Sequence, residues 1–324
     1  MKVLVIGGAG YIGSHVSRAL LDKGNKVTVY DNLSSGLREN IFADEEFVKG
    51  DILDYELLLK TMEKGFDALV HLAAFKAAGE SMLIPDKYSR NNISGSINII
   101  NAMVEANIKY IVFSSSAAVY GEPHYNPIDE EHPLEPLNFY GFTKIVIEGI
   151  LSWYDKLKGI KAAVLRYFNA AGYDPQARVL GLEKNPQNLI PIIMEVACGI
   201  RKELEIFGDD YPTRDGSGVR DYIHVSDLAE AHLAALEFIR QNKKSLLVNL
   251  GSEKGISVKE MQEAVERITG KKVPFRVVAR RPGDSAELYA SAKKAFASLA
   301  WKAKLSDVDT IIKTTWDVYR KASG

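Results

Sequence analysis

"VLVIGGAGYIGSH", Val3 to His15, decides the fold. A short β-branched run meets Gly7, Gly10 and Gly13 and passes straight into a helical pattern. Ile12, Val16, Ala19 and Leu20 fall on one stripe at i, i+4, i+7 and i+8, and Gly24 ends the pattern. Glycines between a first strand and a first helix let the backbone approach a pyrophosphate, and the helix N-terminus offers it free N–H groups and positive dipole. A glycine triplet alone is weak evidence. Here a second strand, "KVTVYD", follows and ends at Asp31, 18 residues after Gly13. A carboxylate there accepts both ribose hydroxyls of an adenosine and repels a 2′-phosphate, which favours NAD over NADP. Asp51, in "KGDILD", is placed either to reach the adenine or to cap the next helix.

Strand and helix patterns alternate outward from this loop: "ELLLKTMEKG", "DALVHLAA", a long helical stretch to "AMVEAN", then "IKYIVFSSS". Apolar strands that do not alternate in polarity predict a parallel sheet covered on both faces. The expected fold is α/β, a Rossmann-type doubly wound parallel sheet with a smaller mixed α/β substrate-binding domain. Residues 1–168 are expected to form the nucleotide domain, with segments near 220–248 and 290–305 returning to it, and 169–324 mainly the substrate domain. Past "AAVLRYFN" the rhythm loosens into "GYDPQARVLGLEKNPQN" and "GDDYPTRDGSG". Later, Ser257 and Glu260 predict a capping box.

Charge narrows the partners. With 41 Lys+Arg against 42 Asp+Glu, no global field attracts nucleic acid or an anionic membrane, so any anion must be gripped locally. The single cysteine, Cys198, lies in "LIPIIMEVACGI" and is expected to pack in the core. No segment approaches the ~20 apolar residues that span a bilayer, and the first apolar run is too short for a signal segment, so a cytoplasmic protein is expected.

The chemistry centres on "NFYGFTK", where Tyr140 precedes Lys144 by four residues at an expected helix start. On a helix the two side chains project from one face. A phenol with an ordinary pKa near ~10 becomes a usable base when an ammonium and a positive nicotinamide ring favour its phenolate. The same spacing recurs at Tyr154/Lys158 and Tyr289/Lys293, both read as surface pairs, so the surroundings must discriminate. Only Tyr140 follows a strand ending in "SSSAAVYG", with Ser114, Ser115 and Ser116.

This G-x-x-G-x-x-G spacing, a serine strand and Y-x-x-x-K together resemble the extended short-chain dehydrogenase/reductase superfamily. Over almost its full length the chain is similar to the UDP-glucose 4-epimerases, through "GGAGYIGSH", "YDNLSSG", "HLAAFKAAGES", "NNISGS", "FSSSAAVYG", "YGFTK", "RYFNAAG", "QNLIP", "IFGDDYPTRDGSGVRDYIHVSDLAEAH" and "RRPGD". The resemblance implies bound NAD and reversible inversion of C4 of a UDP-hexose through a 4-keto sugar. It implies Tyr140 as the base for O4, Ser116 as its hydrogen-bonding relay and Lys144 as holder of the nicotinamide ribose. It also places Tyr11, Ile12, Asn32, Ile52, Leu72, Ala73, Ala74, Lys76, Asn91, Ser114 and Tyr167 along the cofactor. On the substrate side it implies Asn169, Asn188 and Leu189 near the diphosphate or sugar, Phe207 near the uracil, Arg220 and Arg281 on phosphate oxygens, Tyr222 nearby and Asp284 on the uridine ribose. Relatives are homodimers through helices near 88–105 and 140–157.

Two departures stand out. Phe142 replaces a small or basic residue, on a side expected to face away from Tyr140. Leu288 occupies a position that gates N-acetylated sugars, leaving UDP-GlcNAc use open. A 4,6-dehydratase needs a further acid and base, yet Ala117 and Ala118 stand where its relatives carry Asp-Glu. A non-catalytic dinucleotide sensor has no use for Ser116, Tyr140 and Lys144 together. The six histidines form no metal-ligand cluster in sequence, and His71, in an apolar strand, is expected to be packed.

Overall fold

The computed structural model describes residues 1–183, 186–281 and 284–323. Strand β1 (Lys2–Ile6) runs into α1 (Tyr11–Asp22), followed by β2 (Lys26–Asp31), β3 (Glu46–Lys49), α2 (Tyr55–Met62) and β4 (Ala68–His71). The long helical stretch predicted next is broken. Pro85 starts a new turn, so α3 (Ala78–Leu83) and α4 (Pro85–Tyr88) separate, and a π-helical segment, Ser89–Ser94, precedes α5 (Gly95–Glu105). Then come β5 (Tyr110–Ser114), α6 (Phe139–Lys158) and β6 (Lys161–Tyr167).

The second half continues with β7 (Asn169–Ala171), α7 (Leu189–Ala197), β8 (Leu204–Phe207), β9 (Val219–His224), α8 (Val225–Asn242) and β10 (Leu246–Leu250). It ends with β11 (Gly255–Ser257), α9 (Val258–Thr269), β12 (Phe275–Val278), β13 (Glu287–Leu288), α10 (Lys293–Leu299) and α11 (Val308–Ser323). The Ser257–Glu260 capping box opens α9 with both reciprocal bonds.

Seven parallel strands form the large sheet in the order β10-β6-β5-β4-β1-β2-β3. Its faces explain the apolar strand pattern. Val3 and Val5 face one cluster with Val16, Leu20, Leu228 and Leu236, whereas Leu4 and Ile6 face another with Leu58, Met62, Ile99 and Ile147. Val3, Leu4, Val5 and Ile6 have no exposed surface because helices cover both sides. The chain winds from β1 out to β3 and then crosses back to β4, so β1 and β4 diverge at a topological switch point, where open α/β sheets bind ligands.

A four-stranded sheet, β11-β9-β13 with β7 on β9, and a β12-β8 pair make up the smaller layer over a third cluster with α7, α9 and α11. The chain returns to the large sheet at α8, which packs on α1, and β10, which pairs with β6; residues 219–224 stay in the smaller sheet. Cys198 is half-buried at the C-terminus of α7, against that third cluster. Among the described residues no helix is long and apolar enough to cross a membrane.

Candidate active site

The glycine loop sits at the switch point. Gly7 has φ +84°, and a side chain there would meet the Ala73 backbone at 2.6 Å; a Cβ on Gly13 would lie 2.2 Å from the Gly7 carbonyl oxygen. Strand, turn and helix therefore close up only with glycine. Gly10 is different, since its Cβ position meets nothing nearer than 3.3 Å, and α1 starts there with no side-chain cap. The donors of the first turn are thus left for an anion. Asp31, buried at the end of β2, accepts from Leu33 N (2.8 Å) and Ala9 N (3.0 Å), one bond per oxygen, which leaves lone pairs for ribose hydroxyls. Loop, helix end and carboxylate fit NAD.

Neighbouring expected positions have mixed environments. Asp51 does not cap α2; Asp54 does, accepting from Leu57 N. Asp51 instead holds Asn32 Nδ2 at 2.9 Å. Ile52 points into the core, beneath Gly95, so only its backbone is available to a cofactor. The Tyr11 hydroxyl donates to the Gly172 carbonyl, and Ile12 packs against the core beside it. Leu72, Ala73 and Ala74 follow β4 along the opposite wall, and Lys76 pairs with Glu183 at 2.7 Å. Asn91 donates to Asn92, whose buried amide bonds Phe75 N and O and reaches Thr143 of α6. Asn92, which the sequence did not single out, ties this wall to the catalytic helix.

Asn138 caps α6 by accepting from Gly141 N at 2.9 Å, and the backbone N–H of Tyr140 donates to buried Ser81 Oγ at 3.1 Å. Lys144 Nζ lies 5.7 Å from the centre of the Tyr140 ring and 4.8 Å from that of Phe113, and donates to the Ser114 carbonyl at 2.8 Å. Ser116 caps the turn after β5, accepting from Ala118 N at 3.2 Å, and its hydroxyl stands near enough to the Tyr140 phenol to oppose the effect of burial on it. The structure therefore brings Ser116, Tyr140 and Lys144 together. Ser114 Oγ bonds His232 Nε2 (2.9 Å) beside Tyr167.

Burial sets the electrostatics of the pair in the protein alone. Burial pushes the Tyr140 phenol above its usual range, with Ser116 opposing, and pulls Lys144 down to about 7, with the Glu148 carboxylate opposing. In the protein alone the ammonium does not win, because both groups lose hydration. Glu148 stands at i+4 from Lys144 and is held by Ser115 and by both prongs of Arg166. The helical period placed it on the Tyr140 face, and that signal could have found it.

The rival pairs are structural. Tyr154 is half-buried rather than a surface residue, donating to Asn101 Oδ1 at 2.6 Å, whereas Lys158 is exposed. Tyr289 precedes α10 and Lys293 begins it, so they share no helix. His71 is buried, bonds Ser96 and is lowered to about 3 by burial. Phe142 is exposed on the outer side of α6.

On the substrate side, a cavity of about 270 Å³ runs from Ser116 past Tyr167 and Leu288 to Asn169, Arg220 and Asp284. The last three also line a second cavity of about 640 Å³ reaching Asn188, Leu189, Phe207, Tyr222 and Arg281. The two form one cleft. Arg220 lies 3.7 Å from Asp284, and Asn169 Nδ2 donates to the Asp221 carbonyl. Arg281 does not project alone into the cleft: its guanidinium covers the Phe207 ring at 3.6 Å, on a residue expected to meet uracil. Among the described residues no His/Cys/Asp/Glu cluster could hold a metal.

Comparison with known proteins accords with this geometry. Residues 3–251 match the family described as the NAD dependent epimerase/dehydratase family. The UDP-glucose 4-epimerase of Lacticaseibacillus casei is 45% identical over 319 residues, 98% of this chain and 96% of its own length. That of Bacillus subtilis is 45% identical over 315 residues, 94% and 93% of the two chains. The crystal structure of the Stenotrophomonas maltophila enzyme with bound NAD and formylated UDP-arabinopyranose superposes with a TM-score of 0.96 at 42% identity, covering 100% of this chain and 99% of that one. The Bifidobacterium longum enzyme with NAD+ and UDP gives 0.93 at 37% identity, covering 99% and 98%. On the glycine loop, the switch-point crevice and these full-length likenesses, the chain belongs to the NAD dependent epimerase/dehydratase family.

Proposed function

We propose that this protein interconverts UDP-galactose and UDP-glucose by inverting C4 of the hexose. One observation carries the reading: a single cleft joins Ser116, the hydroxyl beside Tyr140 and Lys144, to Arg220 and Asp284, next to a crevice fitted for NAD. NAD held by the glycine loop and Asp31 would supply hydride transfer to and from C4, with no net oxidation over the cycle.

The protein's residues supply the rest. Tyr140 accepts the O4 proton, with the neighbouring Ser116 hydroxyl as relay. Because burial raises that phenol, it acts as a base only beside further positive charge. Lys144, anchored by the Ser114 carbonyl and 5.7 Å from the centre of the Tyr140 ring, would hold a ribose hydroxyl of the cofactor and favour the phenolate. Arg220 and Asn188 face the diphosphate or sugar, Arg220 as a fork, while Asp284 borders the uridine ribose. Ala78, Ala117, Ala118 and Gly121 line the catalytic end with small groups, which leaves a sugar ring room to turn over while its diphosphate stays fixed. The Ala117–Ala118 pair brings no acid or base there, which argues against dehydration.

On this reading residues 1–168, with the returning α8, β10 and α10, hold the cofactor, and most of 169–324 holds the UDP-sugar in the cytoplasm. A homodimer through the α5 and α6 region is supported by the exposure of Trp153 (61%) and Leu157 (68%) on α6. The test is direct. Purified protein incubated with UDP-galactose should yield UDP-glucose, separated chromatographically; none at any time overturns the function.

A further inference from the structure

We propose that Gly181–Glu183 is a strap laid across the glycine loop, fastened by Asn40 on one side and Lys76 on the other, that retains the dinucleotide in its crevice. This rests on the reading that the crevice binds NAD.

The topology makes the crossing. In the sheet β1 lies between β4 and β2. Asn40 belongs to the segment after β2, and Lys76 to the segment after β4, so the two fasteners stand on opposite flanks of the loop that β1 delivers. Strands two places apart are separated by about 10 Å. Three residues of extended backbone with a glutamate and a lysine side chain cover that span.

The Asn40 fastener is built into the loop. Its buried amide donates from Nδ2 to the Ala9 carbonyl at 3.1 Å and accepts the Gly181 N–H on Oδ1 at 3.2 Å. Leu37 N donates to the same Ala9 carbonyl at 2.9 Å. Gly181 fits so closely that a Cβ would lie 2.3 Å from Asn40 Oδ1 and 2.8 Å from Leu37 Cδ1. On its other side the Gly181 carbonyl accepts from the Tyr173 hydroxyl at 3.3 Å. The strap is thereby held to Ala9, inside the glycine loop itself.

The Lys76 fastener is of another kind. Glu183 Oε1 meets Lys76 Nζ at 2.7 Å, with the side chains 29% and 54% exposed. Between the fasteners the strap passes the first residue of α1: Tyr173, whose hydroxyl bonds Gly181, sets its ring edge-on to that of Tyr11 with 5.4 Å between centres. Leu182 and Tyr11 both pack against the apolar cluster of the smaller layer. One end is therefore a buried amide clamp and the other an ion pair within reach of water and salt. Departure of the diphosphate requires the ion pair to open, while Asn40 stays engaged.

The test measures cofactor release, with no turnover involved. Wild-type holoenzyme, Glu183→Gln and Asn40→Ala are each loaded with NAD, diluted into charcoal and assayed for retained NAD with time. A partly exposed ion pair of this kind predicts about three- to fivefold faster release from Glu183→Gln at low salt. Potassium chloride should speed release from the wild type and leave Glu183→Gln almost unchanged, whereas Asn40→Ala should release faster yet keep the salt dependence. Glu183→Gln, altering a half-exposed side chain without changing its shape, keeps the test informative if Asn40→Ala fails to fold. Release from Glu183→Gln equal to or slower than that of a wild type that binds NAD overturns the strap alone. A wild type that binds no NAD overturns the cofactor reading and the strap with it.

Discussion

Gly141 lies directly on the backbone of Ala118: a side-chain carbon at Gly141 would stand 2.3 Å from the Ala118 carbonyl oxygen. The first turn of α6 and the turn after β5 are therefore in backbone contact, and this contact sets Tyr140 against Ser116. Gly141→Ala must lift the helix start by most of an ångström. Misplacing reacting groups on that scale costs on the order of 100-fold. We expect kcat for UDP-galactose to fall by at least tenfold with NAD content unchanged, measured by coupled assay and by absorbance of released cofactor.

Tyr140→Phe removes the proposed proton acceptor and keeps the ring. Because general acid–base catalysis contributes roughly 10²–10⁴-fold, turnover should drop in that range while bound NAD and the melting temperature stay near wild type. An unimpaired rate would take Tyr140 out of the chemistry.

Arg220→Ala leaves Asp284 without the cation 3.7 Å away and strips the cleft of its proposed phosphate fork. Loss of uniform substrate binding raises KM with little change in kcat. An increase of about ten- to 100-fold in KM for UDP-galactose is expected from steady-state kinetics, in keeping with a charge-assisted contact. An unchanged KM would assign Arg220 to packing.

Four buried histidines govern the acid limb of stability. Burial lowers His15, His224 and His232 to about 4 and His71 to about 3. Their folded pKa values lie below the unfolded value near ~6.5, so between the two the unfolded chain binds more protons and stability rises with pH. The contribution is complete above about 6.5 and is lost as pH falls toward 4. Each pK unit is worth ~1.4 kcal/mol, so urea titrations should show several kcal/mol less stability at pH 5 than at pH 7. A flat profile would mean these rings are protonated in the folded state.

Local chemistry made part of this molecule legible in the sequence. The glycine spacing, the β-branched strands and Asp31 act over a few residues, so the Rossmann half and its crevice could be read directly. Ser116, Tyr140 and Lys144 were found as a set because a strand end and a helix start each carry a recognisable pattern. What stayed hidden depends on contacts between distant segments. Nothing near Asn92 announces its bond to Phe75, 17 residues earlier, and Arg166 meets Glu148 only once β6 lies beside α6. Asp54 rather than Asp51 caps α2 because the turn after β3 is a few residues longer than the aspartate spacing suggested. The dehydration of Tyr140 is hidden for a related reason: it is a property of the assembled site.

The late arrival of α8 and β10 constrains how the chain is made. Val3, Val5, Val16 and Leu20 share their cluster with Leu228, Leu236, Ile239 and Val248, which a ribosome adds more than 200 residues later. Until then the nascent nucleotide-binding half carries an uncovered oily face and an unpaired β6 edge, features that invite aggregation. A nascent chain stalled before residue 225 should therefore depend on chaperones, and should shed them once the last strand of the sheet has cleared the exit tunnel.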